Sequence, residues 1–178
     1  MGIRIVFETH AISEDNELGI ATGWHDGQLS ARGCLLAREL GARRRFDGIH
    51  TVFTSDLARA VETARIAFEA TPIPVLADWR LRECDYGSLN GQPALDLHRQ
   101  RQRYLDDPYP GGESWRQAIA RVGRVLPDLR LRWDGARVLI IGHVATRWAL
   151  EHFLNGVPLE ELIAAEFRWR EGWEYTLS

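Results

Sequence analysis

Two histidines and an arginine each follow an apolar run in this chain. His10 comes just after residues 3–7, Arg59 lies in the first helical turn after 49–53, and His143 follows 138–141. In an open α/β sheet the groups that act on a ligand gather past the carboxyl ends of the strands. Two imidazoles and a guanidinium beside helix N-termini form an anion site, because free backbone amides and the helix dipole add positive potential. A phosphoryl group is the natural guest. All 22 basic residues are arginine, which removes whole mechanisms from consideration. A Schiff-base lysine, a pyridoxal-phosphate enzyme and a Walker-type P-loop all need an ammonium group. An anion here must be held by Arg, His, backbone amides or a metal. One histidine after a strand is more often structural than catalytic; the signal is three strand ends with compatible chemistry.

The elements that must position these groups follow from periodicity. Residues 3–7, 49–53 and 138–141 read as short buried strands, the last an unbroken aliphatic run suited to a strand covered on both faces. Residues 30–44 carry Leu35, Leu36 and Leu40 at helical spacing, with Ser30 as cap. After 49–53, Leu57, Ala60, Val61, Ala64, Ala67 and Phe68 predict a helix capped by Ser55 or Asp56. A third helix starts near Ser114, with Trp115, Ile119, Val122 and Leu129 inward, and Pro127 should kink or divide it. Residues 71–113 form a Pro-rich excursion over one end of the sheet, with a helix over 94–104. Its Arg99, Arg101 and Arg103 are candidates to read a second anionic group. Residues 164–170 and 173–177, parted by Gly172, predict a closing hairpin. Strands alternating with helices imply an α/β sandwich, its sheet largely parallel with an antiparallel edge.

The 178 residues allow one domain, and no linker or repeat divides them. At 45% hydrophobic and 26% charged the chain reads as globular, and no apolar run approaches the ~20 residues of a membrane span. A net charge of −3 gives no reason to expect nucleic acid, and Arg43 to Arg45 reads as a solvated helix end. Cys34 and Cys84 suit buried thiols rather than a disulfide scaffold or zinc site. The start of the chain has no signal-peptide pattern, so a cytoplasmic location is expected. His25, His50, His98 and His152 read as structural or solvated. The oligomeric state stays open.

Five ordered elements resemble the histidine phosphatase superfamily, the phosphoglycerate-mutase-like fold, over almost the whole chain. Thr9-His10-Ala11 stands where the family has Arg-His-Gly, with Ser13 and Asn16 at the expected offsets. Gly23-Trp24, Asp26, Leu29-Ser30 and Gly33 match the next loop and helix; residues 54–60 with Thr63-Ala64 match the second phosphate-binding element. Leu81-Arg82-Glu83 and the run 86–91 look like the acid-bearing segment, and Gly112-Glu113-Ser114 and Gly142-His143 complete the set. The resemblance implies a three-layer α/β/α sandwich and a phosphatase of a small phosphorylated metabolite. In it His10 is the nucleophile, forming a phosphohistidine, with its second ring nitrogen held by a backbone carbonyl. Arg59 binds phosphoryl oxygens, His143 donates to them from the far side, and Asn16 can add a donor. Glu83 protonates the leaving oxygen and then activates water, with Asp85 as an alternative acid. No metal and no other cofactor is implied.

The sequence departs from the family at Thr9, where an arginine would grip the phosphoryl group. A charge-assisted hydrogen bond is worth ~1.5 to 3 kcal/mol, so its loss costs one to two orders of magnitude. Thr9 offers one neutral donor, and Arg82 or Arg147 are candidates to replace the charge. Ala11 and the β-branched Val144 stand where the family has glycine, and Val144 demands a negative φ. Three readings remain open: a phosphatase, a mutase, or a descendant that binds or does other chemistry in the same pocket. Tyr86-Gly87-Ser88-Leu89-Asn90-Gly91 looks mutase-like, but the chain lacks the longer insertions of mutases.

Overall fold

The computed structural model describes residues 2–178. The chain runs β1 (Ile3–Thr9), α1 (Glu14–Glu17), β2 (Ile20–Ala21), α2 (Ala31–Arg44), β3 (Thr51–Thr54), α3 (Ala58–Phe68), β4 (Val75–Ala77), β5 (Gln92–Pro93), α4 (Ala94–Gln100), α5 (Trp115–Gly123), α6 (Val125–Arg132), β6 (Arg137–Gly142), α7 (Val144–Asn155), α8 (Leu159–Ala164) and β7 (Trp173–Leu177). The main sheet has the order β4-β3-β6-β1-β7, parallel except for β7 at the edge. Alternate residues of its strands enter separate cores. Ile3, Ile5, Phe7, Val138 and Ile140 pack with α5 to α8, while Val6, Leu139, Ile141 and Val52 pack with α2 and α3. Covering on both faces explains why the central strands are apolar without alternation. α2 and α3 approach so closely that a Cβ on Gly41 would collide with the carbonyl of Ala67.

Some expectations hold and others are corrected. Ser30 caps α2 through the Gly33 amide, but neither Ser55 nor Asp56 caps α3. Its N-cap is Leu57, because Ser55 Oγ bonds His143 and the Asp56 carboxylate binds Arg82. The helix beginning at Trp115 divides at Arg124, placing Pro127 in the first turn of α6, where its missing N–H costs nothing. Residues 164–170 form no strand. β7 pairs with β1 instead, and the preceding segment crosses α7, where the Arg147 guanidinium lies 4.7 Å from the Trp173 ring centre and 5.8 Å from that of Phe167. Arg43 to Arg45 is no solvated run. Arg44 Nε lies 2.8 Å and Arg43 Nη2 3.5 Å from the carboxylate of Glu8, and Arg45 donates to the Ala67 carbonyl. Glu8 is buried in β1 and needs paired charge to stay there. Cys84 is buried as expected, whereas Cys34 is only half-buried.

Candidate active site

Register brings the proposed groups together. Thr9 pairs with Gly142 across β1 and β6, and Thr54 pairs with Ile141 across β3 and β6, so three strands end at one level. His10, His143 and Ser55 each leave the sheet there. The rings of His10 and His143 lie 5.0 Å apart, centre to centre. His10 Nδ1 is 2.7 Å from the Ala11 carbonyl. A carbonyl can only accept, so Nδ1 carries the hydrogen and Nε2 presents its lone pair. The Ala11 amide in turn donates to Thr63 Oγ1, which fixes this loop against α3.

Arg59, 2% exposed, donates to the Gly23 carbonyl at 2.9 Å and to that of His25 at 3.3 Å. Its third contact is His143 Nδ1 at 3.4 Å, a weak one. None of these partners is a carboxylate, so a buried guanidinium faces the site with its charge unpaired by direct contact. Burial lowers its pKa, yet a guanidinium remains charged. Since Arg59 can only donate, His143 Nδ1 accepts and Nε2–H donates to Ser55 Oγ at 2.7 Å. This corrects the expectation of a free donor on His143, both of whose nitrogens are engaged by the protein.

Glu83 sits at the N-terminus of α7. Its Oε1 accepts from the amides of Cys84 at 2.9 Å and Ala145 at 3.1 Å, and Oε2 from Val144 at 3.2 Å. Burial raises its pKa against these bonds and the pull of Arg59. Val144 adopts a negative φ in the first helical turn, so its branched side chain is unstrained. The backbone of Glu83 is clamped from behind, its carbonyl accepting from Trp24 Nε1 at 2.7 Å and from buried Arg121 at 3.0 Å. Arg121 also grips Glu113 through two bonds and the carbonyls of Arg80 and Arg82. The contacts that Arg121, Ser55 and Thr63 make here are not signalled in the sequence, where Ser55 reads as a helix cap and Thr63 as part of a motif, since all three reach partners far along the chain.

A cavity of about 250 Å³ contains His10, Asn16, Arg59, Glu83, Tyr86 and Val144 on its walls. Asn16 Oδ1 accepts from the Ser13 amide, which leaves its Nδ2 as a donor. α4 and the turn after it supply Leu97, His98 and Arg101, so the excursion does roof the site. His98 therefore stands at the rim rather than away from it. Arg101 is buried over Trp148 and donates to the Ala165 carbonyl, while Arg99 is exposed. Two expected charge replacements lie elsewhere. Arg82 forms a bidentate pair with Asp56, at 2.7 and 2.6 Å, and stacks on Trp24. Arg147 lies against Trp173. Asp85 closes the turn through Gly87 and Asn90, while Glu83 lines the cavity. Among the described residues no group of three or more His, Cys, Asp or Glu side chains is placed to hold a metal ion, and no helix is long and apolar enough to cross a membrane.

Burial, with Arg59 second, lowers the His10 pKa from 6.5 to about 3 against the bond to Ala11, and burial depresses His143 as well. A histidine depressed in the folded chain binds protons better when unfolded. Its stabilising contribution is complete above pH 6.5 and is lost as pH falls toward about 3. Unfolding by denaturant at a series of pH values should show stability declining across this window, with a shallower slope in His10→Ala. Parallel slopes would contradict the depressed pKa.

A buried guanidinium, a neutral histidine and a carboxyl group of raised pKa, set at the carboxyl ends of a parallel sheet, form a site suited to an anion. The chain belongs to the histidine phosphatase superfamily, whose branch 1 sequence model matches residues 5–169. A 2,3-bisphosphoglycerate-dependent phosphoglycerate mutase of Methylobacterium sp. (strain 4-46) is 35% identical over 181 residues, covering 91% of this chain and 85% of that one. The protein of that name from Parvibaculum lavamentivorans is 33% identical, covering 90% and 83%. Among solved structures, mycobacterial glucosyl-3-phosphoglycerate phosphatase in complex with VO3 superposes with a TM-score of 0.80 at 25% identity, covering 92% of this chain and 87% of that one. Bacillus stearothermophilus YhfR gives 0.83 at 24%, covering 95% and 88%, a likeness of fold.

Proposed function

We propose that this protein is a phosphatase that hydrolyses a small phosphomonoester through a phosphohistidine on His10. The observation that carries the reading is the His10 ring. Its Nδ1 is tied to the Ala11 carbonyl, and its Nε2 is left unprotonated on a cavity wall shared with Arg59 and Glu83. Nε2 attacks phosphorus while Arg59 and Asn16 Nδ2 hold the non-bridging oxygens. Protonated Glu83 gives its proton to the leaving oxygen, and as a carboxylate it then takes one from the water that releases phosphate. The incoming anion competes with His143 for Arg59, whose 3.4 Å contact is weak enough to yield. The relatives named mutases support transfer between substrates as the second reading. Hydrolysis is favoured because the sequence lacks the longer insertions of the mutases it resembles.

A panel of phosphomonoesters, with phosphate release as the readout and acid-labile phosphoenzyme trapped in parallel, tests the reading. Phosphoglycerate supplied with bisphosphoglycerate tests transfer. Thr9→Arg adds the charge that the family resemblance leads one to expect. It should raise monoester kcat/KM by about tenfold or more, the scale of one charge-assisted bond. Neither phosphate release nor phosphoenzyme in wild type, with both appearing in Thr9→Arg, would assign the native site to binding or other chemistry.

A further inference from the structure

His10 stands between two cavities. Beside the first lies a second of about 580 Å³, walled by Thr9, Leu36, Leu40, Phe167 and Trp169 among others. His10, Asn16, Glu83, Val144 and Phe167 contribute to both. Arg59 faces only the first and His143 only the second. His10, which bears the attacking nitrogen, lines both, so a phosphorus atom within its reach sits on the boundary. A monoester has one organic arm and can use one side; the larger and more apolar side would stay unfilled.

Charge points the same way. Arg59 is the guanidinium that touches a site histidine, and both histidines are neutral. The residue preceding His10 is the uncharged Thr9, which borders the second cavity, and nearby Arg43 is committed to Glu8. Of the other guanidiniums on the two walls, Arg101 is held over Trp148 by the Ala165 carbonyl and Arg32 is exposed. One cation at the histidines matches a phosphorus centre with a single negative charge better than the nearly doubly charged group of a monoester.

We propose that the same site also hydrolyses phosphodiesters, with one organic arm in each cavity, the arm in the second being apolar or aromatic. The inference rests on the phosphohistidine reading above. The N–P bond to His10 Nε2 forms as the P–O bond to one arm breaks, and that oxygen takes the Glu83 proton. The other arm stays on phosphorus, so the bound species is an esterified phosphohistidine. Water attacks phosphorus and gives its proton to Glu83 as the N–P bond breaks. A phosphomonoester leaves and His10 is neutral again.

Bis(p-nitrophenyl) phosphate and p-nitrophenyl phosphate, assayed in parallel by nitrophenolate release, test this in wild type, Leu36→Trp and Thr9→Arg. Wild type should turn over the diester, and enzyme quenched in denaturant at neutral pH should carry an aryl phosphoryl adduct on His10. Filling the second cavity in Leu36→Trp should lower the diester-to-monoester ratio of kcat/KM by about tenfold, the effect of one apolar arm losing its pocket. Thr9→Arg, which adds bulk and a second cation, should lower the ratio at least as much. Monoester turnover with an inert diester, or a ratio unmoved by both variants, overturns the inference and leaves the phosphatase reading standing. No product and no adduct from either ester overturns both.

Discussion

Replacing His10 by alanine is expected to abolish the phosphoenzyme and to lower kcat/KM by about four orders of magnitude or more, the scale on which an enzyme loses its nucleophile. The size of the effect follows from the lack of a substitute. His143 is the nearest imidazole, but its Nε2 is bonded to Ser55 and its Nδ1 faces Arg59. Cys84 follows Glu83 directly, yet burial and the neighbouring carboxylates push its thiol well above its ordinary pKa, so the reactive thiolate is not formed. The variant should fold, because the His10 side chain makes one hydrogen bond, to the carbonyl of its own neighbour. Added imidazole should enter the vacated space and restore part of the turnover. A phosphoenzyme of wild-type yield in the variant, located by peptide mapping, would place the nucleophile elsewhere.

The residues that assemble this site were legible in unequal measure. β1, β3 and β6 announce themselves as aliphatic runs, and the histidines follow two of them, because a parallel sheet covered on both faces leaves little besides strand ends for polar groups. Glu83 was reachable only through the family resemblance. Its own neighbourhood in sequence contains Asp85, and the choice between them depends on which one meets the amides of α7, some 60 residues on. Arg82 misled by adjacency. In extended backbone consecutive side chains point apart, so a residue next to the acid faces away from it, here onto Asp56 and Trp24. The expected closing hairpin failed for a related reason. Phe167 and Trp169 alternate with polar residues as a strand would, but the pattern serves a segment whose aromatic side chains wall the second cavity. Arg43 and Arg44 looked like surface charge because nothing local reveals that Glu8 is buried.

Glu83→Gln is expected to separate the two halves of the reaction. For an alkyl ester the leaving oxygen needs a proton, and loss of a positioned acid costs roughly 10² to 10⁴ in rate. For a p-nitrophenyl ester the leaving group is stable as an anion, so kcat/KM should fall much less, while kcat falls wherever hydrolysis of the phosphoenzyme limits and the general base is missing. The variant should therefore accumulate phosphoenzyme from the aryl ester and form little from the alkyl one. The pH dependence has a definite sign. Phosphorylation needs neutral His10 and protonated Glu83. Alkyl-ester kcat/KM should accordingly rise through a limb near pH 3, set by His10, and fall as pH increases through the raised pKa of Glu83. Dephosphorylation needs the carboxylate, so aryl-ester kcat should rise with pH through that same value. Both Glu83 limbs should vanish in the glutamine variant. Equal losses on alkyl and aryl esters, with the limbs retained, would show that Glu83 merely holds the start of α7 through its three amide bonds.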